Sequence, residues 1–208
     1  EIASKHGLSV EPKKIEATWK RVWAEKDAQN QRLGQAGSRH EKLWWKDIVQ
    51  GVFADLGAFE NFDAFFDELF VSFGREARWK MFEEVPYVLG VLKSRGIQMA
   101  IVSNWDGRLF KLLEELKISH YFRGVFISSV LGTAKPEKKI FDIAMERMGV
   151  HPIQTIHVGD SLVDDVHGAK NAGIRPVHID RETPASSKPK GFIRIASLKD
   201  ILEVETFL

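Results

Sequence analysis

Cysteine is absent, which excludes disulfides and thiolate-bound metals and fits a reducing compartment. Charge of one sign is lacking too: 30 Lys and Arg stand against 29 Asp and Glu, a formal net charge of +1. Such a balance leaves no basic field to hold nucleic acid or an anionic membrane surface. No apolar run approaches the length of a membrane span, and the first residues lack the basic-then-apolar pattern of a signal peptide. There is no internal repeat and no low-complexity stretch beyond a polar loop, Arg181 to Lys190. What remains is an ordinary globular composition, 44% hydrophobic over 208 residues, enough for one sizeable core with a small accessory domain. A cytoplasmic protein that engages neither nucleic acid nor membrane is expected.

The first part of the chain is patterned for helices. Glu1 to Gly7 reads as the last turns of a helix closed by glycine, with no initiating cap, so the chain opens inside an element. Ser9 and Pro12 start a helix to about Asp27, with Ile15, Trp19, Val22 and Trp23 at helical spacing. After a glycine-bearing loop, Leu33 to Gly37, a helix from Ser38 carries Leu43, Trp44, Ile48, Val49, Val52 and Phe53 and ends near Gly57. Asn61 starts another, with Phe62, Phe65, Phe66, Leu69, Phe70 and Phe73. Residues 1–80 therefore form a helical domain holding five of the six tryptophans. Aromatics at this spacing make a bundle core in preference to a substrate pocket. Adjacent Trp44 and Trp45 cannot both face one core, so one is expected at an interface, through which a homodimer could form.

From residue 81 the pattern changes. Helix 86–95 is followed by an apolar strand at 98–102, as expected for a parallel sheet covered on both faces. Helix 107–117, strand 124–128, helix 136–148, strand 154–158, helix 164–172 and strand 176–179 alternate after it. A weak strand at 192–195 and a last helix capped by Ser197 and Asp200 end the chain. Alternation of this kind specifies a doubly wound, right-handed parallel α/β sheet over 81–208.

Three strands end in chemistry. Ser103-Asn104-Trp105-Asp106-Gly107 offers a hydroxyl, an amide and backbone N–H groups at a helix start, a cradle for phosphate oxygens or simply a Ser/Asn cap. In Thr133-Ala134-Lys135-Pro136, Pro136 fits the first helical position, which places Lys135 at the cap, where a cation opposes the helix dipole. A local rule broken at a strand-to-helix junction suggests a site. Gly159-Asp160-Ser161-Leu162-Val163-Asp164-Asp165 crowds three carboxylates at one sheet edge, a repulsion that a hard divalent cation relieves. Together they form a joint phosphate-and-metal pattern. His157 and His178 lack spaced partners and read as packing or surface residues, Asp106 reads as a cap, and Lys138-Lys139 as a solvated face.

At these motifs the chain resembles the haloacid dehalogenase superfamily of hydrolases, phosphatase-type with a helical cap. Val102 to Asp106 resembles the family's second motif, Lys135-Pro136 with Ile140-Phe141 its third, and Gly159 to Asp165 its fourth; Gly168 to Gly173 also matches. The resemblance covers residues 86 to 180. It implies a Rossmann-like core and a magnesium-dependent phosphomonoester hydrolase acting on a small phosphorylated metabolite. Ser103 and Asn104 would lie at the phosphoryl group and Lys135 would pair the nucleophile. Asp160 would hold Mg2+ with Asp164 or Asp165, and the choice between that pair is open.

The same resemblance implies a first motif, Asp-x-Asp-x-Thr or Val, on a strand preceding the cap. Asp63, Asp67 and Asp106 do not sit in such a motif. The expectation is a fragment lacking roughly 15 to 25 residues, whose missing strand lies between strands 98–102 and 154–158. Two buried, unpaired strand edges at about 1–3 kcal/mol per orphaned group make a natural chain without that strand implausible. Residues 1–208 alone would show no turnover. The alternatives are a metal-free 2-haloacid dehalogenase, against which Gly159-Asp160 argues, a sugar-phosphate mutase with the same motifs, and a non-catalytic binding or scaffold protein.

Overall fold

The computed structural model describes residues 1–33, 38–182 and 191–203. The loop expected at 33–37, apart from Leu33, and most of the polar loop at 181–190 lie outside the described residues.

Four helices come first: α1 (Ile2–Lys5), α2 (Pro12–Leu33), α3 (Ser38–Phe53) and α4 (Phe62–Phe73). α2 runs about six residues beyond the expected end. The local signals are plain in α4. Asn61 adopts an extended backbone, and its Oδ1 accepts the Ala64 N–H at 3.0 Å, satisfying one orphan donor of the first turn. Phe62, Phe66 and Phe70 then recur at four-residue spacing, and the helix stops at Gly74. Phe65 and Phe66 bury fully against Ile48, Val52 and Val22, a core whose members all come from residues 2–70. Trp44 and Trp45 both pack on that core, which corrects the expectation that only one of them could face it. Their rings meet edge to face at 5.0 Å, so one helix face turns two neighbouring indoles onto the same apolar surface, both partly buried.

The α/β part follows as α5 (Val85–Ser94), β1 (Met99–Ser103), α6 (Arg108–Glu115), β2 (Phe122–Ile127), α7 (Ser128–Leu131) and α8 (Lys138–Met148). Then come β3 (Ile156–Gly159), a wide helical turn over Leu162–His167 that runs into α9 (Gly168–Asn171), β4 (Arg175–Ile179) and β5 (Ile193–Ile195). Every strand pair among the described residues is parallel. β1 pairs β2, with Ser103 opposite Ile127, and β3–β4–β5 form a separate sheet, with Gly159 opposite His178.

Among the described residues β1 and β3 each pair on one edge only. Their other edges line a cleft of about 1720 Å³, together with Phe82, Ile97 and Ile153. Parallel strands are ordinarily covered on both sides. Here Ile101, Val102, Ile156 and Val158 stay half-exposed along the cleft, and Ile153 is 88% exposed. Val102 near the end of β1 and Gly159 at the end of β3 both line this gap, and Ser103 follows Val102 directly.

Candidate active site

Asn104 follows β1 and binds the peptide of Lys135 on both sides. Its Nδ2 donates to the Lys135 carbonyl at 2.9 Å, and the Lys135 N–H donates to Oδ1 at 2.7 Å. The same Nδ2 lies 3.5 Å from Asp164 Oδ2. One carboxamide thus ties together three segments, those following β1, β2 and β3. Ser103, the last residue of β1, is half-buried at the same rim. Trp105 continues the loop, its carbonyl accepting the Ser129 N–H and the Ser128 hydroxyl, both at 3.2 Å. Asp106 is buried; its Oδ1 accepts the Arg108 N–H at 2.9 Å and its carboxylate grips the Arg108 guanidinium, which also donates to the Phe70 carbonyl and lies over the Phe70 ring. Asp106 therefore both closes the turn before α6 and anchors the core to α4.

Lys135 is not the cap of α8, as the sequence pattern predicted. The helix begins at Lys138 after Glu137, whose backbone is extended. A turn closed by the Glu137 N–H on the Ala134 carbonyl, with Thr133 Oγ1 donating to Glu137 Oε2 at 2.7 Å, holds Lys135 and Pro136 ahead of the helix across a cis bond. That leaves the Lys135 peptide to Asn104 and sends its side chain inward. Nζ reaches Asp165 Oδ1 at 2.6 Å, with the lysine side chain 13% exposed and the aspartate 4%.

Beyond β3, Ser161 starts the wide helical turn. Its Oγ accepts the Asp164 N–H at 3.0 Å, and its carbonyl accepts from both Asp165 and Val166. Four- and five-residue hydrogen bonds from one carbonyl widen the winding, a distortion frequent at functional sites. It turns the adjacent carboxylates apart. Asp164 goes toward Asn104, whereas Asp165 turns inward, its Oδ1 accepting from Lys135 and from His157 Nε2 (2.7 Å) and its Oδ2 from the Ser161 N–H (3.0 Å). Burial raises the Asp165 carboxyl, but the His157 hydrogen bond and the Lys135 ammonium outweigh it and hold the group well below the ordinary carboxylate range. Asp160 is exposed on the cleft wall, and its carbonyl accepts from His178 Nε2 at 3.0 Å.

Two glycines make this packing feasible. His157 and Gly159 share one face of β3, and Asp165 lies across both. A Cβ at Gly159 would overlap the Asp165 carboxyl, and one at Gly168 would fall 2.8 Å from Phe141 Cε2 and 3.1 Å from the Pro136 Cα. Sequence reasoning missed both histidines as site residues. A usable signal existed: a polar residue in register with a strand glycine, just ahead of an acidic helix start.

Asn104, Lys135, Asp164 and Asp165 are joined by direct bonds, and Ser103 and Asp160 sit at the adjoining strand ends. Among the described residues no three His, Asp or Glu side chains gather as a ready metal cage. Asp160 and Asp164 nonetheless suit Mg2+, which is held by one or two carboxylates and completes its shell with water and substrate oxygens. The sequence model of the haloacid dehalogenase-like hydrolases matches residues 9–173. The chain belongs to this family.

Haloacid dehalogenase-like hydrolase domain-containing protein 3 of Mus musculus is 29% identical over 192 residues, 90% of this chain and 76% of that protein. The phosphoserine phosphatase of Thermus thermophilus is 28% identical over 172 residues, covering 82% of this chain and 66% of the relative. Among solved structures, the putative hydrolase YfnB of Bacillus subtilis, bound to magnesium, superposes with a TM-score of 0.79 at 16% identity, over 98% of this chain and 86% of its own. That last likeness is one of fold. Among the described residues no helix is long and apolar enough to cross a membrane.

Proposed function

We propose that this hydrolase cleaves phosphomonoesters of small metabolites with the help of Mg2+. The observation that carries the reading is the knot at the cleft mouth, where Asn104 fixes the Lys135 peptide and Asp165 fixes its ammonium. A cation held this firmly beside a helix entrance suits the charge of a transferring phosphoryl group, where catalysis is chiefly positioning and electrostatic neutralisation. The phosphatases among the relatives support the same reaction class.

In this reading Ser103 and the N–H groups after it bind phosphoryl oxygens, and Asn104 holds the loop that presents Lys135. Lys135 neutralises charge at the nucleophile and the phosphoryl group. Asp160 and Asp164 hold Mg2+, because three donors already occupy Asp165. When bound, the ion supplies further neutralisation of phosphoryl charge. The nucleophile is an aspartate on a strand that enters the cleft between β1 and β3, where two parallel edges unpaired among the described residues and an apolar lining offer a strand both hydrogen bonds and cover. Its carboxylate attacks phosphorus, the alkoxide leaves, and water releases phosphate from the acyl phosphate.

The test is phosphate release from para-nitrophenyl phosphate by the complete protein, with Mg2+ and after chelation. Release should depend on Mg2+ and fall at least about 100-fold in Lys135→Met and in Asp160→Asn. Release that ignores chelation and the loss of the Lys135 ammonium would refute the reading.

A further inference from the structure

We infer that His157 is a positioning residue, one that fixes the Lys135 ammonium by anchoring Asp165 from the side of the sheet; this rests on the hydrolase reading above. His157 points from β3 onto the face shared with Gly159, and only 13% of its side chain is exposed. The Phe141 ring meets the imidazole edge on, at 5.1 Å and 90°. Nε2 lies 2.7 Å from Asp165 Oδ1, and a carboxylate oxygen only accepts, so Nε2 carries the hydrogen.

The same Oδ1 accepts from Lys135 Nζ at 2.6 Å, while the Ser161 N–H holds Oδ2 at 3.0 Å. Asp165 therefore has two attachments independent of the lysine. A lysine is a point charge on a flexible four-carbon stem, and an ion pair by itself would let both partners swing together. With His157 on one side and a backbone N–H on the other, the carboxylate becomes a fixed post and the ammonium takes its position from it. Because one of the three ammonium donors is spent on Asp165, the directions of the other two are set by the same post. The hydrogen bond of His157 goes to Asp165, and it acts through that carboxylate.

The experiment compares His157→Leu with His157→Gln in the complete protein, using para-nitrophenyl phosphate and Mg2+. The glutamine amide nitrogen reaches the place of Nε2 and donates to Asp165; leucine only fills space. In His157→Leu kcat should fall about 10- to 100-fold, the scale of a small misplacement of a catalytic group, with KM within about twofold. His157→Gln should regain most of the loss. A second readout does not need turnover: the wild type should give a slowly exchanging Lys135 ammonium resonance in 15N–1H spectra, lost in the leucine variant and kept in the glutamine variant. If no phosphate is released by any form, the hydrolase reading fails and the resonance alone decides the role of His157. The inference is overturned if His157→Leu retains both kcat and the Lys135 resonance. It is equally overturned if both variants lose them together with the same drop in thermal midpoint, since His157 would then be packing and nothing more.

Discussion

Replacing Lys135 with methionine removes a cation while keeping most of its volume, and the cost can be worked from its partner. Asp165 is left 4% exposed with two of its three donors, His157 and the Ser161 N–H. Breaking a buried ion pair from one side costs about 3–5 kcal/mol, and the surviving hydrogen bonds place this case near about 3 kcal/mol. For a chain of this length each kcal/mol lowers the thermal midpoint by about 2–4 °C, so Lys135→Met should melt about 6–12 °C lower at neutral pH. Acid should narrow the gap. In the wild type Asp165 titrates below its unfolded value, so its stabilising contribution is present above the ordinary carboxylate pKa and is lost as pH falls through the depressed folded value. The variant has less of that contribution to lose, so the two midpoint curves should converge below about pH 4. A second variant, Lys135→Met with Asp165→Leu, removes both charges and should recover most of the loss. Calorimetry from pH 7 to pH 3 tests all three statements. A single-variant midpoint within about 2 °C of wild type, or a double variant no better than the single, would refute the buried-pair argument.

Gly159→Ala should cost about 1–3 kcal/mol by urea unfolding and abolish phosphate release, because the new methyl displaces the Asp165 carboxyl. Arg108→Ala should cost about 2 kcal/mol; it strands the buried Asp106 carboxylate and frees the Phe70 carbonyl, but Arg108 keeps 22% of its surface in water, which discounts the fully buried case. The Glu84 carboxyl is raised by burial yet lowered more by backbone N–H groups and by Arg181, so its stabilisation is lost as pH falls below the ordinary carboxylate range. Glu84→Gln should lower the neutral-pH midpoint and flatten its acid slope, read by circular dichroism melts.

Much of the architecture was legible because it rests on period. The phenylalanines of α4 recur every three or four residues, and Met99-Ala100-Ile101-Val102 is a near-continuous apolar run. The strand-end motifs were legible for the same reason, since each follows directly on such a run. What escaped were features fixed by contacts distant in sequence. Pro136 suits a helix start, but the Thr133–Glu137 turn and the grip of Asn104, 31 residues away, move that start to Lys138. His157 has no partner one helical turn or one strand step away; its partner lies eight residues on, around a turn whose widened winding no composition announces. His178 bonds a main-chain carbonyl 18 residues earlier, and a carbonyl carries no residue-type signal at all.

The grip of Asn104 on the backbone of residue 135 has a consequence for which substitutions this corner tolerates. Its amide matches the main-chain N–H and C=O of one residue, much as an adjoining strand would, and so takes no notice of the side chain carried there. Lysine is demanded at 135 by the carboxylate below it, and the main chain of residue 135, together with the Asp164 carboxylate, demands asparagine at 104. Aspartate in its place would set a negative oxygen against the 135 carbonyl, so the two positions answer to separate requirements although they touch.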